Sequence, residues 1–254
     1  APSHVTRAVA EAAQQYVSRD AIVVVASKGI EQHSLARMTE IASDVFGRDD
    51  AVALSGPTFA AEVVRGQPAA IVAACSAREP ARVVQQLFHG PAFRVYTQHD
   101  VIGVELGGAV KNVMAVATGI AEGLGLGYNA RAALITRGLA EMTRLGVALG
   151  ADPATFAGLA GMGDLVLTCT GALSRNRALG VEIGRGKTLD EALEGRETVA
   201  EGVITTRSAQ ALADRVGVSM PIVSAAFSVL FDGQAPREAI ADLMNRDPRP
   251  ERDA

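Results

Sequence analysis

Lys111 is the only basic residue in the apolar, helix-compatible segment Val101–Ala121 (VIGVELGGAVKNVMAVATGIA). Gly107 and Gly108 fall four and three positions before it, on the same helical face. A glycine inside a helix costs about 1 kcal/mol relative to alanine, so the pair predicts room cleared beside the lysine for a ligand. A buried ammonium is costly and its pKa falls. Such a lysine can donate and accept a proton near neutral pH. A lysine snorkelling from a half-buried helix, with glycines serving close packing, fits the same residues. A second lysine, Lys28, follows the short β-branched run Ala21–Ala26 in Ser27-Lys28-Gly29-Ile30. Ligands of open α/β sheets bind beyond the carboxyl ends of strands, where Lys28 would meet an anion. A solvated loop lysine reads equally well. Ser55-Gly56-Pro57-Thr58-Phe59-Ala60 follows the next strand candidate, and its glycine and proline fit either an anion-binding turn or a plain strand-to-helix turn. Asp164, flanked by small residues in Gly161–Leu165, could pair with a lysine. Ten residues on, Ser174 could cap a helix whose first N–H groups and Arg175 attract an anion, although Ser174–Arg177 alone reads as a capped surface helix.

Other candidates lack context. Gly123–Gly127 (GLGLG) has the glycine spacing of a dinucleotide loop but follows a helix pattern, not a strand. His4, His33, His89 and His99 have no metal-ligand spacing and read as surface residues, so no metal is expected. Cys75 and Cys169 read as core packing.

These residues need elements to place them. Strand patterns fall at Ala21–Ala26, Ala51–Leu54, Ala69–Ala74 and Phe93–Thr97, with helices at His33–Val45 and Glu79–Phe88. Before them, Ser3 is a candidate N-cap of an alanine-rich helix. After Asp100 the strand runs stop. Helical patterns follow at Val101–Glu122, Ala130–Leu149, Pro153–Leu159, Ser174–Gly184, Leu189–Leu193, Thr205–Val216, Pro221–Phe231 and Pro236–Met244. The reading is α/β plus all-α: a layered α/β domain over 1–100, an all-helical domain over 101–245 and a frayed tail over 246–254.

Composition narrows the function. The 254 residues are 48% hydrophobic and 20% charged, which is globular rather than disordered. With 24 basic against 28 acidic residues the net charge is −4, so nothing favours nucleic acid. The longest uncharged stretch, 16 residues, is broken by Pro221, which argues against a membrane span. Two cysteines form no disulfide framework and point to a reduced, cytoplasmic setting.

Taken together, SKGI at 27–30, LSGPTFAAEV at 54–63, GVELGGAVKNVMAVATGIAEGLGLGYNARAALITRGLAEM at 103–142, GLAGMGDLVLTCTGALSRNR at 158–177 and VAEGV at 199–203 resemble the bacterial NAD(P)-dependent sn-glycerol-3-phosphate dehydrogenases. The resemblance implies hydride transfer between NAD or NADP and the C2 carbon shared by dihydroxyacetone phosphate and sn-glycerol 3-phosphate, supplying phospholipid synthesis. It makes Lys111 the proton-transferring residue. It places Lys28, Gly56, Thr58, Lys111, Asp164, Ser174, Arg175 and Asn176 at the substrate, and Lys28, Ala60, Arg175, Val199 and Glu201 at the cofactor. It also implies a homodimer. It makes residues 1–100 a partial Rossmann-type, dinucleotide-binding domain: the family's opening strand and G-x-G-x-x-G turn have no counterpart in these residues, so the first half of the doubly wound sheet is expected to be missing. The expectation is then an N-terminally truncated chain without turnover, and the alternative reading is a cofactor-deficient remnant that binds a phosphorylated triose or a partner. The Ser-Arg-Asn cluster, suited to a phosphate, argues against a dehydrogenase acting on another hydroxy acid.

Overall fold

The computed structural model describes residues 1–195, 201–248 and 250–251. A one-turn 3-10 segment, Ser3–Val5, leads into α1 (Thr6–Ala13). There follow β1 (Val24–Val25), α2 (Met38–Phe46), β2 (Val52–Ser55), α3 (Ala60–Val64), β3 (Ala69–Ala74), α4 (Arg78–Phe88) and β4 (Phe93–Gln98). Among the described residues the sheet has four strands in the order β1-β2-β3-β4. β1–β2 and β3–β4 are parallel, but β2–β3 is antiparallel. Helix lengths account for this. At ~1.5 Å per residue the five-residue α3 is ~8 Å long, too short to return along a six-residue strand of ~20 Å. The eleven-residue α4 is long enough, and the strand after it is parallel.

Alternation along the strands sorts the two faces of the sheet. Val52, Ile71, Ala73 and Val95 pack against Ala81 and Val84 of α4. Ala53, Val72 and Ala74 turn the other way, toward Val104 and Ala160 of the helical part. The alanines of β3 let a helix approach closely.

Several expectations shift; the helix expected at Thr205–Val216 starts at Glu201, and that expected at Pro153–Leu159 ends at Phe156. The strand expected over Ala21–Ala26 is paired only at Val24–Val25, which are half-buried and hydrogen-bonded on one side by β2. The helix expected from His33 begins at Met38. Before it the chain makes a tight turn, closed by Glu31 N–H to Ala36 O (2.9 Å), with Leu35 at φ 58°. Ser3 caps nothing; it is buried, and its side chain turns to Glu201.

The rest of the described chain is helical: α5 (Val101–Gly123), α6 (Tyr128–Ala148), α7 (Pro153–Phe156), a wide turn over Leu159–Gly163, α8 (Asp164–Thr170), α9 (Arg175–Gly184), α10 (Leu189–Leu193), α11 (Glu201–Val216), α12 (Pro221–Phe231) and α13 (Pro236–Met244). The long apolar α5 is the core. It is long and apolar enough to cross a membrane, but its most apolar window is 83% buried inside the protein. Asp100 caps it through Gly103 N–H (2.8 Å). α6, α8, α9, α11 and α12 pack around it. α9 comes closest: Gly119 and Gly123 of α5 face Gly180 and Gly184 of α9, where a methyl on any of the four would overlap a carbonyl of the opposite helix.

Candidate active site

The first turn of α8 carries the hub. Asp164 is buried and accepts from both expected lysines: Lys28 Nζ at 2.6 Å and Lys111 Nζ at 2.7 Å, one to each carboxylate oxygen. α8 is absent from the sequence expectations, because a five-residue wide turn, closed by Gly163 N–H to Gly158 O (3.1 Å), precedes it and blurs the helical period. Lys28 leaves the loop after β1 and also donates to Gly56 O, at 3.0 Å. Lys111 reaches in from the middle of α5 and also donates to Thr168 Oγ1 at 2.8 Å. Thr168 in turn donates to Asp164 O (2.6 Å). Each ammonium thus commits two of its three donors and keeps one for a ligand oxygen. Two cations share one anion, so the cluster carries a net positive charge.

Burial pushes Lys111 down to about 8, and the neighbouring Lys28 cation adds to the shift. Asp164 opposes it, by charge and by hydrogen bond. The side chain is 8% exposed, enough for contact with a ligand and too little for free hydration.

Gly107 and Gly108 turn out to serve packing rather than an empty space. An added methyl at Gly107 would lie 2.5 Å from Ala160 O, and at Gly108 2.6 Å from Ser55 Oγ. The two glycines let the wide turn and β2 press onto α5, which carries Asp164 and Lys28 to Lys111.

A second arm starts one residue further along α5. Asn112 Oδ1 accepts from Asn176 Nδ2 (3.0 Å), and Asn176 Oδ1 accepts from Gly202 N–H (2.9 Å). Gly202 follows Glu201, whose carboxylate accepts from Ser3 N–H (2.9 Å) and from Ser3 Oγ. Ser3 lies against Gly29, where a side chain would collide with it, and Gly29 adjoins Lys28. The expected residues therefore form a closed ring through both halves of the chain. Asn112, Thr168 and Ser3 complete it. A polar residue one step from Lys111 and another four steps from Asp164 on one helix face were the available signals for the first two. Ser3 and Glu201 lie 198 positions apart, beyond any local pattern.

The remaining candidates lie outside these contacts. Ser174 caps α9 through Arg177 N–H (3.2 Å). Arg175, in the first turn of α9, is exposed. Thr58 donates to Gly56 O (3.2 Å), and Ala60 is exposed at the start of α3. Val199 lies outside the described residues. The four histidines are exposed. Both cysteines are buried, and burial raises the Cys169 thiol to about 11.

A mixed α/β sheet thus closes onto a helical body, with a buried lysine of lowered pKa at the junction, a frame suited to an enzyme that moves a proton. The family models described as NAD-dependent glycerol-3-phosphate dehydrogenase N-terminus and C-terminus match residues 1–81 and 100–241. The glycerol-3-phosphate dehydrogenase [NAD(P)+] of Syntrophotalea carbinolica is 54% identical over 256 residues, covering 100% of this chain and 77% of that protein. That of Citrifermentans bemidjiense is 54% identical over 248 residues, covering 96% and 74%. The crystal structure of glycerol-3-phosphate dehydrogenase from Coxiella burnetii superposes with a TM-score of 0.93 at 38% identity, covering 96% of this chain and 75% of that one. The chain belongs to the NAD-dependent glycerol-3-phosphate dehydrogenase family.

Proposed function

We propose that the protein transfers hydride between NAD(P)H and the C2 carbonyl of dihydroxyacetone phosphate, giving sn-glycerol 3-phosphate and NAD(P)+, with Lys111 moving the balancing proton. The observation that carries this is Lys111 itself: buried, shifted to about 8, and bonded through only two of its donors. The third N–H is the proton donor to the carbonyl oxygen, which becomes the C2 hydroxyl. In the reverse direction neutral Lys111 takes that proton back. Asp164 aims the ammonium, Thr168 fixes its rotation, and burial, with Lys28 beside it, keeps its pKa within reach of neutrality.

The substrate phosphate is assigned to the N-terminus of α9, where Ser174 caps the helix, Arg175 is exposed and Asn176 is held by Asn112 and Gly202. Lys28, Gly56 and Thr58, joined through Gly56 O, are carried over from the family as further substrate contacts. The donor set fits an anionic dinucleotide: two cations, Lys28 and Arg175, with Ala60, Val199 and Glu201 as further contacts carried over from the family. The nicotinamide, when bound, supplies the hydride. Residues 1–100 and 101–245 serve as cofactor and substrate domains in this reading. The family also favours a cytoplasmic homodimer in glycerophospholipid synthesis.

The test is dihydroxyacetone phosphate reduction followed with NADH and with NADPH; turnover with either supports this reading against the expectation of a chain that binds without turnover. Lys111→Ala is expected to lower kcat by about 10²–10⁴, the usual weight of a general acid–base. A kcat within a few-fold of the parent would remove Lys111 from the chemistry.

A further inference from the structure

Beside the ring lies a charged cluster that the proposed chemistry does not use. Arg177 of α9 places its fork on Glu122 near the end of α5, Nε to Oε2 at 2.9 Å and Nη2 to Oε1 at 2.6 Å. Its third nitrogen, Nη1, reaches Gly171 O at 3.4 Å. Arg131 of α6 approaches from the other side, donating to Glu122 Oε2 at 2.6 Å. All three side chains are mostly covered, at 17%, 29% and 24% exposure for Arg177, Glu122 and Arg131. The GLGLG loop has its purpose here: it reverses the chain between α5 and α6, so that Arg131 comes back over Glu122.

The placement matters because Arg177 is two residues from Arg175 and one from Asn176, and its backbone N–H is the group that Ser174 caps. Glu122 thus grips the first turn of α9 from behind. The contact to Gly171 O fixes the loop that delivers Ser174. Ordinary helix capping needs none of this, and the α5–α9 glycines already set how close the helices come. What the bracket adds is the rotation of α9 about its own axis, which decides where Arg175 and the free N–H groups point.

We propose that Arg177, Glu122 and Arg131 are positioning residues that set the affinity for the phosphate of the substrate without touching it. The proposal rests on the reading that the phosphate binds at the N-terminus of α9.

Dihydroxyacetone phosphate and phosphate-free dihydroxyacetone are compared as substrates for Glu122→Gln, Arg177→Lys and Arg175→Ala. Loosening the bracket is expected to raise KM for the phosphorylated ketone about tenfold, the weight of roughly one charge-assisted hydrogen bond. kcat is expected to stay within about threefold, and kcat/KM for dihydroxyacetone unchanged. Glu122→Gln/Arg177→Lys should cost little more than Arg177→Lys alone, because the pair acts as one unit. If Glu122→Gln fails to fold, Arg131→Gln carries the same test with a smaller rise, since it removes a single contact. Equal losses for both substrates, or a fall in kcat alone, overturn the proposal and leave a purely structural ion pair. Should Arg175→Ala preserve discrimination between the two ketones, the underlying phosphate assignment fails and this inference with it. If Arg175→Ala abolishes discrimination while the bracket variants keep the parental KM, only the inference fails.

Discussion

Burial lowers Lys111 most, and two neighbours of opposite sign adjust it. Lys28 repels its proton and Asp164 holds it. Ketone reduction needs protonated Lys111, so kcat is expected to be level below about 8 and to fall above it. Oxidation of the alcohol needs the neutral amine and should rise through the same range. Lys28→Met removes the repulsion and should move the falling limb of reduction to higher pH. Asp164→Asn removes the attraction and should move it lower, with a stability loss of roughly 3–5 kcal/mol from the unpaired buried cations. pH profiles of kcat for the two variants, shifted in opposite directions, support the assignment. Shifts of one sign, or none, contradict it. Much of this was legible in the sequence, because a single cation in an apolar helix is conspicuous whatever the fold. The residues that orient it were not. Thr168 lies on a helix that the wide turn at Leu159–Gly163 conceals, and Asn112 gains meaning only when Asn176 meets it.

Elements with simple patterns follow their sequences closely. β3, α10, α12 and α13 have the expected bounds, since proline, glycine or a capping threonine marks their ends. The turn before α2 and the antiparallel β2–β3 pair were hidden, because both depend on tertiary fit rather than on local period. The glycine contact of α5 with α9 belongs to the same class: scattered glycines in the sequence become one seam in the fold. Gly180→Ala should force the helices apart, at a cost of about 1–3 kcal/mol, and separate Asn176 from Asn112. Gly127→Ala is the control, since an added methyl there meets nothing. A lowered Tm and weakened substrate binding for the first and neither for the second is the expected outcome. Equal behaviour would show that the seam is not close-packed. Glu141 of α6 offers a separate test. It receives Ile222 N–H (2.7 Å) and Val223 N–H (3.3 Å) at the start of α12, and burial raises it from 4.5 to about 7. Between those values the folded state keeps a proton that the unfolded chain has lost, so this group makes stability fall as pH rises. Glu141→Gln should lack that component, and its Tm relative to the parent should climb from pH 4.5 to 7. Parallel Tm profiles would place Glu141 at its ordinary value.

Across the whole molecule, the sheet and the helical body are joined by contacts of long sequence separation. Glu105 of α5 accepts from Thr39 N–H (2.8 Å) and Arg37 Nη1 (2.7 Å), and Ser208 of α11 donates to Ile30 O (3.0 Å). Lys28–Asp164 and Ser3–Glu201 make the same crossing at the site itself. The two textures of the chain were readable from strand and helix patterns. How they close on each other was not, because no local signal relates Ser3 to Glu201 or Lys28 to Asp164. The central claim is that this closure holds Lys111 as a proton donor rather than as a structural cation. Chemical rescue tests it most directly. In Lys111→Ala, methylamine and ethylamine should enter the vacated volume and restore dihydroxyacetone phosphate reduction saturably, with the restored rate depending on the pKa of the amine. A folded Lys111→Ala protein that binds substrate yet responds to no amine would contradict proton transfer by Lys111.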